Sequence, residues 1–119
     1  MARSPLPSPA LRPAQPADFS KAADTFALLA SSTRVWLLWL LVQGDHDVTS
    51  LAEAVGATVP TVSQHLAKLR LADLVTARSD GRRQIYRVDD PLLIALVTQA
   101  VDHHSDLRRR TAQQEAAPR

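Results

Sequence analysis

A run of hydroxyl, amide and cationic side chains in residues 58–74 is the first candidate for chemistry in this chain. Val62, Leu66 and Leu69 recur at the spacing of one helical face, which predicts that this side of a helix is buried. The polar side chains point away from that face and can hydrogen-bond bases and phosphates. We therefore predict a helix that lies in a groove of DNA, against the alternative of a surface helix with an ordinary polar face. The residues predicted to contact DNA from this segment are Thr58, Thr61, Ser63, Gln64, His65 and Lys68.

The segment that follows, residues 75–88, changes from helical spacing to alternation and carries several arginines. Apolar residues alternate on both sides of the turn signal Asp80-Gly81, which predicts a β-hairpin. A basic hairpin directly after a groove-binding helix is typical of a wing that reaches phosphates or the minor groove. The alternative is that these arginines only keep an exposed hairpin tip soluble and contact no DNA. The arginines of the hairpin are Arg78, Arg82, Arg83 and Arg87, of which the first three are predicted DNA contacts.

A short helix is predicted immediately before the groove-binding helix. Ser50 and Glu53 have the spacing of a capping box, and Gly56 suits a left-handed helix end. Only Ala57 separates that glycine from Thr58, the predicted cap of the next helix. Two short helices joined by a tight turn that contains glycine form a helix-turn-helix.

The element that must hold this unit in place is the apolar segment 31–44. A serine can cap it, Gly44 can end it, and the residues between leave almost no polar face, so we predict a core helix wrapped by the others. Its two tryptophans, Trp36 and Trp39, are three residues apart, a spacing at which both rings could contact one ligand. With such apolar neighbours, however, we expect both to be packed in the core.

Two further helices flank this core. Residues 19–29 place apolar side chains at helical spacing, and a last helix begins with Asp90 as its N-cap and Pro91 at its first position. Each of these helices has an apolar stripe that should not face water, so we predict a two-fold dimer through the first and last helices. On the last helix this stripe comprises Leu93, Leu96, Val97, Ala100, His104 and Leu107. The predicted fold class is mainly α with a β-hairpin wing (α+β), a winged helix-turn-helix.

Length and composition limit the remaining possibilities. The 119 residues suffice for one domain, which we place at residues 18–110 between a flexible proline-rich N-terminal tail (1–17) and a flexible C-terminal tail (111–119). The net charge is +2 and most of the 14 cations are arginine, which suits a polyanionic partner. The sequence has no cysteine, which excludes disulfides, thiolate metal sites and cysteine nucleophiles. With no signal peptide and no membrane-spanning run, we expect a soluble cytoplasmic protein.

From about residue 20 to residue 108 the sequence resembles the ArsR/SmtB family of winged-helix, metal-responsive transcription regulators. The segments that carry the resemblance are ALLASSTRVWLLWLL, the helix-turn-helix VTSLAEAVGATVPTVSQHLAKLRLADLV, and IYRV at the end of the wing. The resemblance implies a homodimer that binds double-stranded operator DNA. In many members the affinity for DNA changes when a metal or another inducer binds.

One branch of that family binds nickel, cobalt or zinc between the two last helices, with ligands in the pattern Asp-x-His, ten residues, then His-x-x-Glu or His-x-x-His. In this chain Asp90 and His103 match the pattern, Asp106 stands at the last position, and Leu92 replaces the first histidine. The resemblance therefore implies a divalent metal ion, nickel first and zinc or cobalt as alternatives. Because Asp90 and His103 would be about 20 Å apart on one helix, we expect them to share a metal only across the dimer. The less favoured ligands are His104 and His46.

Three functions remain open at this point. The first is a metal-responsive DNA-binding regulator, and the second is a DNA-binding regulator without a metal response that acts constitutively or through a protein partner. The third is a winged-helix module for protein interaction that does not bind DNA. We do not expect an enzyme, because the sequence has only three glycines with no phosphate-binding loop, and no nucleophile beside a plausible base.

Overall fold

The computed structural model describes residues 12–116. This part of the chain folds into five α-helices and a three-stranded antiparallel sheet with the strand order β1-β3-β2. In chain order the elements are α1 (Pro16–Leu29), α2 (Ser32–Gln43), β1 (His46–Asp47), α3 (Val48–Val55), α4 (Val59–Leu71), β2 (Thr76–Asp80), β3 (Arg83–Arg87) and α5 (Pro91–Ala116). A helix-turn-helix followed by a β-hairpin is a winged helix-turn-helix, so the predicted fold class is confirmed.

Helices extend past both predicted limits of the domain. α1 begins at Pro16, and α5 continues to Ala116, beyond the predicted end at Arg110. Proline fits the first turn because an N–H group there has no partner within the helix and because its fixed φ is already helical. The rest of the predicted tails, residues 1–11 and 117–119, lies outside the described residues, so the division into domain and tails stays a prediction.

α2 is the centre of the core. Leu37 and Leu38 are 0% exposed and Leu41 is 2% exposed, as predicted for a helix wrapped by others. The surrounding helices contribute further buried side chains, namely Leu51 and Ala52 from α3, Val62, Leu66 and Leu69 from α4, and Leu93 and Val97 from α5. Each buried aliphatic side chain contributes roughly 1.5–3 kcal/mol. This burial holds α4 firmly by its inner face.

The expectation that both tryptophans pack in the core is wrong for Trp36, which is 47% exposed. Trp39 is half-buried and packs against the core. α1 leaves this side of α2 open because it has no buried residue and meets the core only near its end, through Leu28 and Leu29. The apolar composition of α2 was evident from the sequence, but the side left open was decided by the path of α1.

The start of α3 differs from the prediction, whereas the turn that follows it is confirmed. The N-cap is Asp47, whose Oδ1 accepts a hydrogen bond from the backbone N–H of Ser50 at 2.8 Å, so Ser50 lies inside the helix. Gly56 adopts the left-handed conformation with φ of 69°. Thr58 caps α4, with its Oγ1 accepting from the backbone N–H of Thr61 at 3.4 Å. α3 and α4 thus form the predicted helix-turn-helix.

The wing is the predicted hairpin with one additional strand. Asp80 pairs with Arg83, so Gly81 and Arg82 form a two-residue turn, and Gly81 has the positive φ, 64°, that such turns favour. β1, which lies in the predicted loop before α3, pairs with β3 as a third strand. A strand of two residues is too short to show alternation, which is why β1 could not be predicted from the sequence.

The apolar stripe predicted along α5 is covered by the described chain only near the start of the helix. Leu93 and Val97 are buried in the protein's own core, whereas Leu107, farther along the same face, is 41% exposed. Leu92, which lies outside the predicted stripe, is 68% exposed. His104, which was predicted to lie in the stripe, is exposed. The helix has 26 residues and is about 39 Å long, so much of it extends past the core against which it packs.

α1 also presents an apolar face that the described chain does not cover. Phe19 is 66% exposed and Phe26 is 59% exposed. Exposed aromatic residues along one helix indicate a surface that another molecule covers. Within residues 12–116 no single helix is both long and apolar enough to cross a membrane; α1 and α2 reach that criterion only together, and they meet at an angle of 92°.

Candidate nucleic-acid interface

α4 directs its polar residues away from the core. Val62, Leu66 and Leu69 are 0% exposed, which fixes the helix by the opposite face. Of the side chains predicted to contact DNA from this segment, Thr61, Ser63, Gln64 and Lys68 are exposed. Thr58 is exposed as well, but its hydroxyl donates to Thr61 Oγ1 at 2.9 Å, so both hydroxyls already have a partner at the start of the helix. The later outward side chains of α4 are therefore the ones available to DNA.

His65 is turned towards α2 and is half-buried. Its Nδ1 lies 3.3 Å from the NH1 of Arg34. A guanidinium can only donate, so Nδ1 is the acceptor and the neutral ring carries its proton on Nε2. Burial of the ring, followed by the charges of Arg34 and Lys68, lowers the pKa of His65 below the ordinary value of 6.5. The ring is therefore a neutral donor through Nε2 at physiological pH.

Arg34, for which the sequence predicted no role, makes hydrogen bonds to two neighbouring helices. Its Nε donates to the backbone carbonyl of Leu28, near the end of α1, at 2.7 Å, while NH1 reaches His65 on α4. One side chain thus joins α1, α2 and α4. The signal that could have found it is a single charged residue in an otherwise apolar helix, because a cation that is half-buried there requires hydrogen-bond partners.

The three arginines predicted to contact DNA from the wing are not equivalent. Arg78 NH1 lies 2.8 Å from Asp45 Oδ2, and Arg83 NH1 lies 3.3 Å from Asp47 Oδ2. Arg82, in the turn, forms no ion pair with any residue of the described segment. Exposed ion pairs contribute only about 0–1 kcal/mol, so Arg78 and Arg83 can still bind phosphate. Arg82 can do so without giving up a partner.

Helix α4 and the wing border one groove. A cavity of about 310 Å³ is lined by Ser63 of α4 together with Arg82 and Arg83 of the wing. A hydroxyl suited to base edges and two cations suited to phosphates thus face the same open space. This arrangement allows the wing to hold the DNA backbone while α4 lies in a groove.

The predicted metal ligands are dispersed along α5. Asp90 caps the helix, with its Oδ1 accepting from the backbone N–H groups of Leu92 at 2.9 Å and Leu93 at 3.4 Å. His103 and Asp106 are exposed one turn apart, about 20 Å and about 24 Å from Asp90 along the helix. Within residues 12–116 of one protomer, no three His, Asp or Glu side chains are grouped so as to hold a metal ion. The predicted ligands can therefore form one site only with a second copy of the chain.

The less favoured histidines have other contacts. The ring of His104 lies edge-on to that of His103, with 5.1 Å between the ring centroids. His46 Nδ1 lies 3.0 Å from Ser50 Oγ, at the start of α3.

Comparison with known proteins identifies the family. A model of the bacterial regulatory protein arsR family matches residues 31–77, which span α2, the helix-turn-helix and the start of the wing. The HTH-type transcriptional regulator NmtR of Mycobacterium tuberculosis is 35% identical over 99 residues, which cover 81% of this chain and 82% of NmtR. The chain belongs to the ArsR family of bacterial regulatory proteins.

Two further comparisons are with proteins named as transcriptional regulators or as a DNA-binding domain. The HTH-type transcriptional regulator KmtR of Mycobacterium tuberculosis is 47% identical over 78 residues, which cover 66% of this chain and 60% of KmtR, so the match spans less than two thirds of that relative. A homodimeric winged helix-turn-helix DNA-binding domain from Mycobacterium bovis, described as a possible ArsR-family transcriptional regulator, superimposes with a TM-score of 0.67 at 27% identity. The superposition covers 87% of this chain and 92% of that domain. These relatives bear the names of regulators, which confirms the prediction that the chain is not an enzyme.

Proposed function

We propose that this ArsR-family protein is a transcription regulator that binds operator DNA as a homodimer, with α4 in the major groove and the wing along the phosphate backbone. The observation that carries the proposal is the groove bordered by Ser63, Arg82 and Arg83. Ser63 and the exposed amide of Gln64 supply hydrogen bonds for base edges, and the wing cations supply contacts to phosphate. The DNA-binding description of the domain from Mycobacterium bovis supports the same function.

The exposed apolar faces of α1 and α5 are the proposed dimer interface. Phe19 and Phe26 on α1, and Leu92 and Leu107 on α5, are all more than two-fifths exposed in the single chain. Removing such surface from water contributes about 25 cal/mol per Å². A two-fold assembly presents two copies of α4 to two half-sites of one operator. The homodimeric state of the domain from Mycobacterium bovis supports this arrangement.

Selection from a pool of random duplex DNA tests the DNA-binding function. The full-length protein should enrich a duplex with inverted half-sites. On that selected duplex Gln64→Ala should lose about 1–3 kcal/mol of binding free energy, with little change on a scrambled duplex. Gln99→Ala, an exposed amide on α5, is the matched control and should change neither. Failure to enrich any duplex would favour the protein-interaction module, and equal losses on both duplexes would refute the role of Gln64.

We also propose that the regulator responds to a divalent metal ion. His103 and Asp106, three residues apart, share an exposed face of α5, and Asp90 is exposed at the start of that helix. Antiparallel pairing of two α5 helices would bring Asp90 of one protomer towards His103 and Asp106 of its partner. One imidazole nitrogen with carboxylate oxygens suits nickel, zinc or cobalt. Leu92 stands where the family pattern has a histidine, so this set supplies three of four ligands.

Titration calorimetry with nickel, zinc and cobalt ions tests the metal response. His103→Ala should abolish tight binding, whereas His104→Ala, the matched neighbouring imidazole, should leave it unchanged. Leu92→His should tighten binding, because it restores the fourth ligand. Unchanged binding by His103→Ala would place the metal elsewhere. If the wild-type protein binds none of the three ions, the regulator acts without metal, either constitutively or through a protein co-regulator.

A further inference from the structure

A cavity at the junction of α1, α2 and α5 is used by neither the proposed DNA contacts nor the proposed metal ligands. Its volume is about 540 Å³, and its walls are Trp36, Trp39 and Val35 of α2, Leu29 of α1 and Val101 of α5. Ala30 and Ser31 of the α1–α2 connection and Ser32 at the start of α2 complete the lining, which contains no charged residue from the described segment 12–116. The exposure of Trp36, which the sequence did not predict, is what opens this space.

We propose that the cavity binds an uncharged, planar, largely apolar molecule, and that this molecule is an effector that changes the affinity for DNA. The volume lies within the roughly 300–1,000 Å³ of small-molecule sites. The indole rings offer flat apolar surface on which another aromatic ring packs favourably. A charged ligand would be left without a partner in such a lining, which is energetically costly. Phe19 and Phe26, the exposed aromatic residues of the proposed dimer interface, do not line the cavity.

The cavity wall is connected to the DNA-reading helix through Arg34. The wall begins at Leu29, directly after Leu28, whose carbonyl accepts from Arg34 Nε at 2.7 Å. Ser31, also in the wall, accepts from the backbone N–H of Arg34 through its hydroxyl at 3.3 Å. The same guanidinium reaches His65 of α4 at 3.3 Å. A ligand that shifts the α1–α2 connection therefore alters the contact that orients His65. This effector role rests on the proposed DNA-binding function.

Fluorescence of the full-length protein tests the binding site. The chain has two tryptophans and both line the cavity, so their emission reports on it. The probe is N-phenyl-1-naphthylamine, an uncharged aromatic molecule that accepts energy from tryptophan. We expect saturable binding of one probe per chain. Ala30→Phe, which places a ring in the cavity, should weaken binding at least about tenfold, and Ala72→Phe should not. The control is matched because Ala30 and Ala72 are both exposed helix C-caps.

Two results of this titration would overturn the site. One is equal probe affinity in Ala30→Phe and the wild type. The other is probe affinity that falls as the protein is concentrated through its monomer–dimer transition, because a second copy of the chain would then be the occupant. Saturable binding that Ala30→Phe weakens and that is independent of protein concentration supports the site.

The effector role is tested with the duplex obtained by selection. Saturating probe should change the Kd for that duplex at least about threefold, and bound duplex should change the Kd for the probe by the same factor. Arg34→Met and Arg34→Lys, which cannot bridge Leu28 and His65, should retain probe binding but lose this coupling. Coupling that persists in both variants would overturn the role of Arg34, and the absence of coupling in the wild type would overturn the effector role. Failure to select any duplex would overturn the DNA-binding function together with the effector role, whereas a failed titration would overturn the binding site and its effector role but not the DNA-binding function.

Discussion

Asp47 Oδ2 lies 3.3 Å from Arg83 NH1, an ion pair that joins the residue before α3 to the middle strand of the wing. The other oxygen of the same carboxylate, Oδ1, caps α3 by accepting from the Ser50 backbone N–H at 2.8 Å. This ion pair adds to the β1–β3 strand pairing, in which Asp47 lies opposite Ile85, as a link between the helix-turn-helix and the wing. Both links hold the phosphate-binding and base-reading groups of the proposed interface near one another.

Replacement of Asp47 should separate its two roles. Asp47→Ala should lower the free energy of unfolding by about 1 kcal/mol, because alanine cannot cap a helix. Asp47→Asn keeps a capping oxygen and should lose only the exposed ion pair, about 0–1 kcal/mol. Urea denaturation measures both. Asp45→Ala, which removes the ion pair of Arg78 but no helix cap, is the control. A loss in Asp45→Ala as large as that in Asp47→Ala would contradict the capping role.

The wing arginines should differ in their effect on DNA binding. Arg82→Ala should weaken binding to any duplex and reduce the slope of log K against log salt concentration by about 1. Arg83→Ala should have a smaller effect, because Asp47 already offsets its charge. Fluorescence anisotropy at several salt concentrations measures the slopes. Arg109→Ala, an arginine of α5 paired with Asp106, should leave the slope unchanged. A larger effect for Arg83→Ala than for Arg82→Ala would contradict the prediction that Arg82 contributes more to phosphate binding.

His65 should make stability depend on pH. Burial of the ring and the charges of Arg34 and Lys68 hold its pKa below 6.5 in the folded protein, so the unfolded chain takes up this proton at a higher pH. The contribution to stability is fully present above that value and is lost as the pH falls towards the lower folded-state pKa. Between about pH 7.5 and about pH 5, the wild type should lose more unfolding free energy than His65→Gln does. Parallel pH profiles in urea denaturation would show that His65 is not responsible.

A charge on the exposed face of α1 should dissociate the proposed dimer. Phe26→Asp would place an unpaired carboxylate in the interface, and the dimer Kd should rise at least about tenfold. Phe26 is 59% exposed in the single chain, so the helical circular dichroism should be retained. Sedimentation equilibrium measures the change, with Leu71→Asp as control because Leu71 is 89% exposed but belongs to α4. If Phe26→Asp still sediments as a dimer like the wild type, this face of α1 is not part of the dimer interface.

The sequence by itself determined the helix-turn-helix. The spacing of Val62, Leu66 and Leu69 defined the buried face of α4, and all three are 0% exposed. Gly56 and Thr58 marked the turn, and the structure has them as a left-handed helix end and an N-cap. These features were predictable because each depends on side chains within about one turn of helix, a range in which backbone geometry fixes which groups meet. The assignment of individual residues to DNA or metal stays a prediction.

The tertiary structure alone decided which faces are covered and which polar groups meet across the chain. Trp36 has the same apolar neighbours as the buried leucines of α2, yet it is exposed because α1 does not pack over it. Arg34 meets His65 across 31 positions of sequence, and Asp47 meets Arg83 across 36. Periodicity states that a face needs burial but not which element will supply it, and a lone charged residue carries no signal of its distant partner. Such contacts depend on the path of the whole chain. That path places Trp36 in the lining of the cavity and places Arg34 between the cavity wall and α4.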